Sequence, residues 1–171
     1  AGWQWGLLAW LLLGAIAMRG AGCVYNDITD AELDRQVART ASRPIASGRV
    51  SKRTAWIWLG FLCLVGLVVL LQLPLLAQVI ALASLLLVAA YPFMKRITWW
   101  PQAWLGLTFN WGVLVGWAAL GRDNGDVPIA IYLGCVAWTV GYDTIYAVQD
   151  REDDALVGIR SSALRMGGKV K

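Results

Sequence analysis

An all-α integral-membrane bundle of several helices, about five of them crossing the bilayer, is the fold class this sequence predicts, on three observations. Hydrophobic residues make up 58% of the 171, against about 45–50% in an ordinary soluble domain. The excess is gathered into five blocks, each near the 17–25 residues that an α-helix needs to cross hydrocarbon. Several of the 11 tryptophans lie near block ends, where amphipathic rings settle at a membrane surface.

The blocks run over about 3–25, 54–72, 75–93, 102–120 and 129–148. In lipid every backbone N–H and C=O must be satisfied within the segment, so blocks of this length read as helices. Pro74, Pro101 and Pro128 stand just before the third, fourth and fifth blocks, where a missing N–H costs nothing. Gly2 and Gly6 in the first block, and Gly112 and Gly116 in the fourth, have the small-xxx-small spacing of helix-packing contacts. Cys23, Cys63 and Cys135 lie in or at the end of apolar blocks and read as small buried residues. With no histidine in the chain, zinc centres and imidazole bases are not available to it. No basic leader with a small-residue cleavage site is visible. The chain reads as a piece of a longer protein, since its first helix opens with no preceding segment and it stops in a polar stretch.

Five crossings put segments 26–53, 94–101 and 149–171 on one side. Of the 15 Lys and Arg, Arg122 falls on the other side and Arg19 lies inside the first block; the rest share the first side. The positive-inside rule makes that side cytoplasmic. Asp27, Asp30, Glu32, Asp34, Asp150, Glu152, Asp153 and Asp154 are on it too. Two acidic clusters distant in sequence therefore meet at one membrane surface, with a basic loop between them.

In the first cluster, Asn26, Asp30 and Asp34 are spaced i, i+4, i+8 and share a helical face. Like charges so placed repel, so a positive partner is expected. Oxygen ligands without His or Cys select a hard cation, Mg²⁺ or Ca²⁺. In the second cluster Asp150 and Asp154 repeat the i, i+4 spacing, with Tyr146 and Tyr142 on the preceding turns. Mg²⁺ takes one or two carboxylates and completes its shell with water and phosphate oxygens, which makes a diphosphate the natural bridging ligand. Asp143 lies within the fifth block, either as a functional acid or as a helix-packing hydrogen-bond partner. Arg39, Arg43, Lys95 and Arg96 stand close to the acids and suit phosphate oxygens. Arg49, Lys52 and Arg53 fit better as topological anchors facing anionic lipid. Arg19, about two turns inside the first block from Asn26, needs an anion at that depth; a substrate carboxylate is the sharper assignment and snorkelling the plainer one.

With these residues in place the chain resembles the UbiA family of membrane prenyltransferases along nearly its whole length. The family's first motif is matched by Asn26, Asp27, Asp30 and Asp34, then Arg39, Thr40, Arg43 and Pro44. Its second is matched by Tyr142, Asp143, Tyr146, Ala147, Asp150 and Asp154. Segments 91–96 and 158–162 are similar to the bacterial branch that acts on 4-hydroxybenzoate. The resemblance implies nine transmembrane helices, of which one before Ala1 and about three after Lys171 are missing from this chain. It implies transfer of a polyprenyl group from its diphosphate to the ring carbon ortho to the hydroxyl of 4-hydroxybenzoate, in ubiquinone biosynthesis at a bacterial inner membrane. It implies Mg²⁺ held by Asn26, Asp30, Asp34, Asp150 and Asp154. Arg39, Arg43, Lys95 and Arg96 would take the diphosphate, Tyr146 would orient it or a metal ligand, and Arg19 would hold the acceptor carboxylate. Neither nucleic acid nor an obligatory protein partner is expected. Two rivals are a family member with another aromatic acceptor and a transporter whose acids form a cation site near the bilayer midplane.

Overall fold

The computed structural model describes residues 4–121, 125–158 and 160–167; the side chains of Asp150, Asp153, Asp154 and Val157 lie outside the described residues, as do Gly2, Arg122, Lys169 and Lys171. The described residues form helices and turns, with no strand among them. In chain order the helices are α1 (Trp5–Asp34), α2 (Lys52–Leu70), α3 (Leu75–Ile97), α4 (Pro101–Phe109), α5 (Gly112–Ala119) and α6 (Asp126–Tyr146). A 3₁₀ turn (Ala147–Asp150), α7 (Arg151–Val157) and α8 (Ser162–Met166) follow.

Among the described residues three helices, α1, α2 and α3, are long and apolar enough to cross a membrane by length and composition. Their outward faces carry large apolar side chains, among them Ile16, Trp56, Ile57, Phe61 and Leu86, with little packed over them. That is the surface of a protein whose solvent is lipid, and the chain is a multi-pass membrane protein.

The 30 residues of α1 extend about 45 Å at 1.5 Å per residue, well beyond the roughly 30 Å hydrocarbon layer. The surplus is the polar end that carries Asn26 to Asp34. No break separates it from the apolar part, so the first acidic cluster sits on a rigid rod anchored in the membrane. α2 runs back beside α1. Ser51 caps its first turn, accepting the Thr54 backbone N–H at 3.1 Å. A Cβ on Gly14 would stand 3.0 Å from Val69, and one on Gly20 3.2 Å from Leu62, so these glycines let the two helices approach closely.

Two of the sequence expectations change here. Around Gly6, Gly112 and Gly116 an added Cβ would meet nothing within 4 Å, so among the described residues the close approaches are not at these glycines. They fall instead at Gly14, Gly20, Gly66, where a Cβ would run into Met18 Sδ of α1, and Gly106, whose Cβ would come 3.1 Å from the Val136 carbonyl of α6. Cys23 and Cys63 are exposed rather than buried, and all three cysteines are free.

The fourth block, 102–120, is two short helices rather than one. At the join, Asn110 Nδ2 donates to Gly106 O at 2.9 Å and to Thr139 Oγ1 on α6 at 2.9 Å. The Trp111 indole reaches Ile80 O on α3 at 2.8 Å. An amide side chain thus takes up a carbonyl of the helix it interrupts, and the opened backbone is covered by α3 and α6, the condition under which irregular backbone is tolerated at membrane depth. The polar groups at this break are Asn110 and Thr139, with Asp143 one turn beyond Thr139 on α6; the acids of the first cluster stand at the end of α1.

Pro92 lies fully buried inside α3 and cannot bond the Val88 carbonyl. On either side of that gap neighbouring helices supply donors: Trp104 Nε1 to Leu87 O at 2.9 Å and Tyr25 Oη to Ala89 O at 3.3 Å. These bonds tie α1 and α4 to α3 just above the end that bears Lys95 and Arg96.

Candidate active site

The loop after α1 folds back on it. Ile45 and Ala46 are buried, and Ile45 packs with Ile28 and Ala31 of α1 and Ala55 of α2. Arg35 Nε donates to Ala46 O at 2.8 Å, and Thr40 Oγ1 donates to Asp34 O at 3.0 Å, satisfying a carbonyl at the helix end. The apolar tuck, rather than charge alone, brings Arg43 back onto the acidic face. Its Nη1 lies 3.0 Å from Asp27 Oδ1 and 3.0 Å from Asp34 Oδ2. Two carboxylates of one helix, seven residues and about two turns apart, therefore converge on a single cationic nitrogen.

Asp30 lies between them and has no exposed surface. Lys95 Nζ donates to its Oδ2 at 2.6 Å, and Arg96 Nη2 to its Oδ1 at 3.4 Å. Both cations come from the last turn of α3. The repulsion expected between acids at i, i+4 is thus offset by three side-chain cations from two other segments. Arg39 is exposed and Asn26 is half-buried on α1.

Arg19, about three turns nearer the middle of α1 than Asp30, is exposed. Its Nη1 is 2.8 Å from Cys23 Sγ and its guanidinium lies 5.6 Å from the Phe109 ring centroid. The Tyr91 phenol on α3 is within electrostatic reach of Asp30 and Arg19 on α1, of Arg43, and of Asp143 on α6. It stands between the first cluster, Arg19 and the helix that leads to the second cluster.

Tyr146 ends α6 and is half exposed. The chain then tightens into the 3₁₀ turn, so the α-helical spacing from Tyr146 to Asp150 does not hold. The side chains of Asp150 and Asp154, assigned to the second cluster from sequence, lie outside the described residues. Among the described residues no group of three or more His, Cys, Asp and Glu is gathered for a metal ion. What is present at α1 fits a hard cation by chemistry: oxygen donors, with Asp27 and Asp34 already directed at one positive centre.

The i, i+4, i+8 spacing of Asn26, Asp30 and Asp34 leaves Asp27 out of the ligand set that the sequence suggests. The signal for Asp27 was the seven-residue spacing to Asp34, which returns a helix to nearly the same face.

Comparison with known proteins adds the following. The family profile described as "UbiA prenyltransferase family" matches residues 2–171. The mitochondrial 4-hydroxybenzoate polyprenyltransferase of Homo sapiens is 49% identical over 169 residues, covering 98% of this chain and 46% of that protein, so the chain spans about half the length of such relatives. A UbiA homolog from Aeropyrum pernix K1, solved in its apo state, superposes with a TM-score of 0.84 at 25% identity, over 98% of this chain and 64% of that one. A UbiA homolog from Archaeoglobus fulgidus, solved with GPP and Mg²⁺, superposes with a TM-score of 0.72 at 18% identity, over 94% and 58% respectively.

Proposed function

Because the chain belongs to the UbiA prenyltransferase family, we propose that the full-length protein transfers a polyprenyl group from polyprenyl diphosphate to the ring carbon ortho to the hydroxyl of 4-hydroxybenzoate, with Mg²⁺, in ubiquinone biosynthesis. The observation that carries this reading is the interleaving of acids and cations at one end of the bundle: Asp27 and Asp34 on Arg43, and Asp30 on Lys95 and Arg96. The identity to 4-hydroxybenzoate polyprenyltransferases supports the choice of acceptor.

Mg²⁺ would be held by Asn26, Asp30 and Asp34 with Asp150 and Asp154, and Asp27 joins this set on its convergence with Asp34. Two carboxylates per ion, with phosphate oxygens completing the shell, is the usual demand of Mg²⁺. When bound, the ion would neutralise diphosphate charge and favour its departure. The chain's own cations do related work. Arg43, Lys95 and Arg96 exchange carboxylate oxygens for diphosphate oxygens and, joined by Arg39, stabilise the charge that grows as the allylic C–O bond breaks. The pairing of Arg43, Lys95 and Arg96 with acids keeps these three in position before substrate arrives. Arg19 holds the acceptor carboxylate, so that the ring carbon beside the phenol meets the allylic cation; the C–C bond forms there, and the ring then loses the proton of that carbon, which the released diphosphate can accept. Tyr146 orients the diphosphate. The basic side of the bundle, with the site, faces the cytoplasm in a bacterial inner membrane by the positive-inside rule; the human relative is mitochondrial by name.

The deciding experiment is diphosphate release by the full-length protein, with and without Mg²⁺ and with 4-hydroxybenzoate, a naphthoate or no acceptor. Release that requires both Mg²⁺ and 4-hydroxybenzoate is expected. Release that needs neither would refute the reading, and a preference for the naphthoate would reassign the acceptor. For Arg19→Ala, an acceptor KM raised by about tenfold or more is expected, with the KM for the diphosphate little changed. An unchanged acceptor KM would remove Arg19 from that role.

A further inference from the structure

The last four carbonyls of a helix have no partner within it, and those of α3 adjoin Lys95 and Arg96. The Met94 carbonyl takes the Thr98 N–H at 2.8 Å. Two of the others are taken from across the chain. The Arg160 backbone N–H donates to Lys95 O at 2.8 Å, and Arg160 Nη1 donates to Ile97 O at 2.6 Å. The same guanidinium lies 5.5 Å from the Trp99 ring centroid. A cation stacked at a helix C-terminus is favourably placed against the helix dipole.

Two residues on, the chain is fastened on its other side. The Ser162 backbone N–H donates to Gln102 Oε1 of α4 at 3.2 Å. Ser162 Oγ and Thr144 Oγ1 of α6 are 2.7 Å apart. Ser162 has no exposed surface, and Gln102 and Thr144 are also buried. Buried polar groups so joined hold their geometry tightly, because any shift strands one of them. The helix on which Thr144 stands continues within a few residues into the segment that bears Asp150 and Asp154.

We propose that Arg160, Ser162, Gln102 and Thr144 are positioning residues, a clasp that sets the Lys95–Arg96 end of α3 against the segment carrying the second acidic cluster. Lys95 and Arg96 reach the first cluster through Asp30. The clasp therefore fixes the distance between the two halves of a site that must close on one diphosphate. This rests on the function proposed above. None of the four needs to touch substrate; they act through the cations and acids they hold, where a displacement of about 1 Å can cost about 10²-fold in rate.

The test uses full-length protein and a non-reactive probe, geranyl thiolodiphosphate with Mn²⁺, whose binding is measured by calorimetry and by the Mn²⁺ EPR signal. Ser162→Ala is expected to weaken metal-dependent binding about tenfold and to lower kcat/KM for the prenyl diphosphate by a similar factor. The KM for 4-hydroxybenzoate should stay within about twofold, since Arg19 lies outside the clasp. Ser162→Thr, which keeps the hydroxyl, should restore binding to within about threefold. Arg160→Gln alters an exposed side chain, does not threaten folding, and should weaken binding about threefold. Variants that bind the probe as wild type does overturn the clasp. So does a loss in Ser162→Ala that raises the acceptor KM equally and is not rescued by Thr. Wild-type protein that fails to bind the probe with Mn²⁺ overturns the underlying function, and the clasp with it.

Discussion

Asp30→Ala in the full-length protein is expected to lower prenyl-diphosphate turnover by about 10³-fold or more and to lower the melting temperature of the detergent-solubilised protein. Asp30 is wholly buried, and its two oxygens hold Lys95 and Arg96 at 2.6 and 3.4 Å. Removing it leaves two cations beside a cavity with no counter-charge. Breaking a fully buried pair costs about 3–5 kcal/mol; here about 2–3 kcal/mol is expected, because Lys95 and Arg96 retain access to solvent. The activity loss exceeds what that instability explains, since the same carboxylate orders the cations proposed to bind diphosphate and is itself a proposed metal ligand. Losing one preorganised electrostatic contact costs about 10²–10³-fold in comparable sites, and here two functions are lost together. Asp30→Asn separates the effects: it keeps the shape and part of the hydrogen bonding, so it should melt closer to wild type and remain inactive. Diphosphate release within tenfold of wild type in Asp30→Ala would defeat the assignment.

Asp150→Ala is expected to abolish Mg²⁺-dependent turnover while leaving the protein inserted and folded. Asp150 follows a helix whose buried residues include Tyr132, Thr139 and Thr144, so a substitution beyond its end is expected to leave that helix intact. Residual activity at saturating Mg²⁺ should fall below about 1% of wild type, in line with the 10²–10³-fold cost of losing one charge-stabilising group. Insertion is checked with a single cysteine placed at Glu152, on a background without native cysteines. It should react with a membrane-impermeant maleimide from the basic side alone, in wild type and variant alike. Normal turnover would end the metal role of Asp150, and labelling from the opposite side would invert the topology.

Much of this was legible before any coordinates. The apolar blocks announce helices in lipid because the bilayer leaves the backbone no other way to satisfy its hydrogen bonds. Asp30, Asp34, Arg43, Lys95 and Arg96 stood out because charge at the end of an apolar block is costly unless it has a purpose. Three things were not legible. The break at Asn110 was hidden because an uninterrupted apolar block looks the same whether its helix is continuous or divided; the partner that favours the division, Thr139, is distant in sequence. The 3₁₀ turn after Tyr146 changes the phase of the second cluster without any residue that forbids an α-helix. The clasp from Ser162 to Gln102 links residues 60 positions apart, and the spacing of buried Ser, Thr and Gln in an apolar chain carries no sign of which will meet.

The amino-acid sequence by itself determined the membrane character, the helical class and the kinds of group carried by the polar end of α1 and the last turn of α3. These follow from local composition and the period of the helix, which act over a few turns. The tertiary structure alone decided the partners: Arg43 for Asp27 and Asp34 together, Lys95 and Arg96 for Asp30, and Arg160 for the end of α3. Each pairing depends on how buried apolar surfaces such as Ile45 against Ile28 and Ala31 steer distant segments together. Charge is long-ranged and indifferent to which opposite charge it meets, so packing makes the choice.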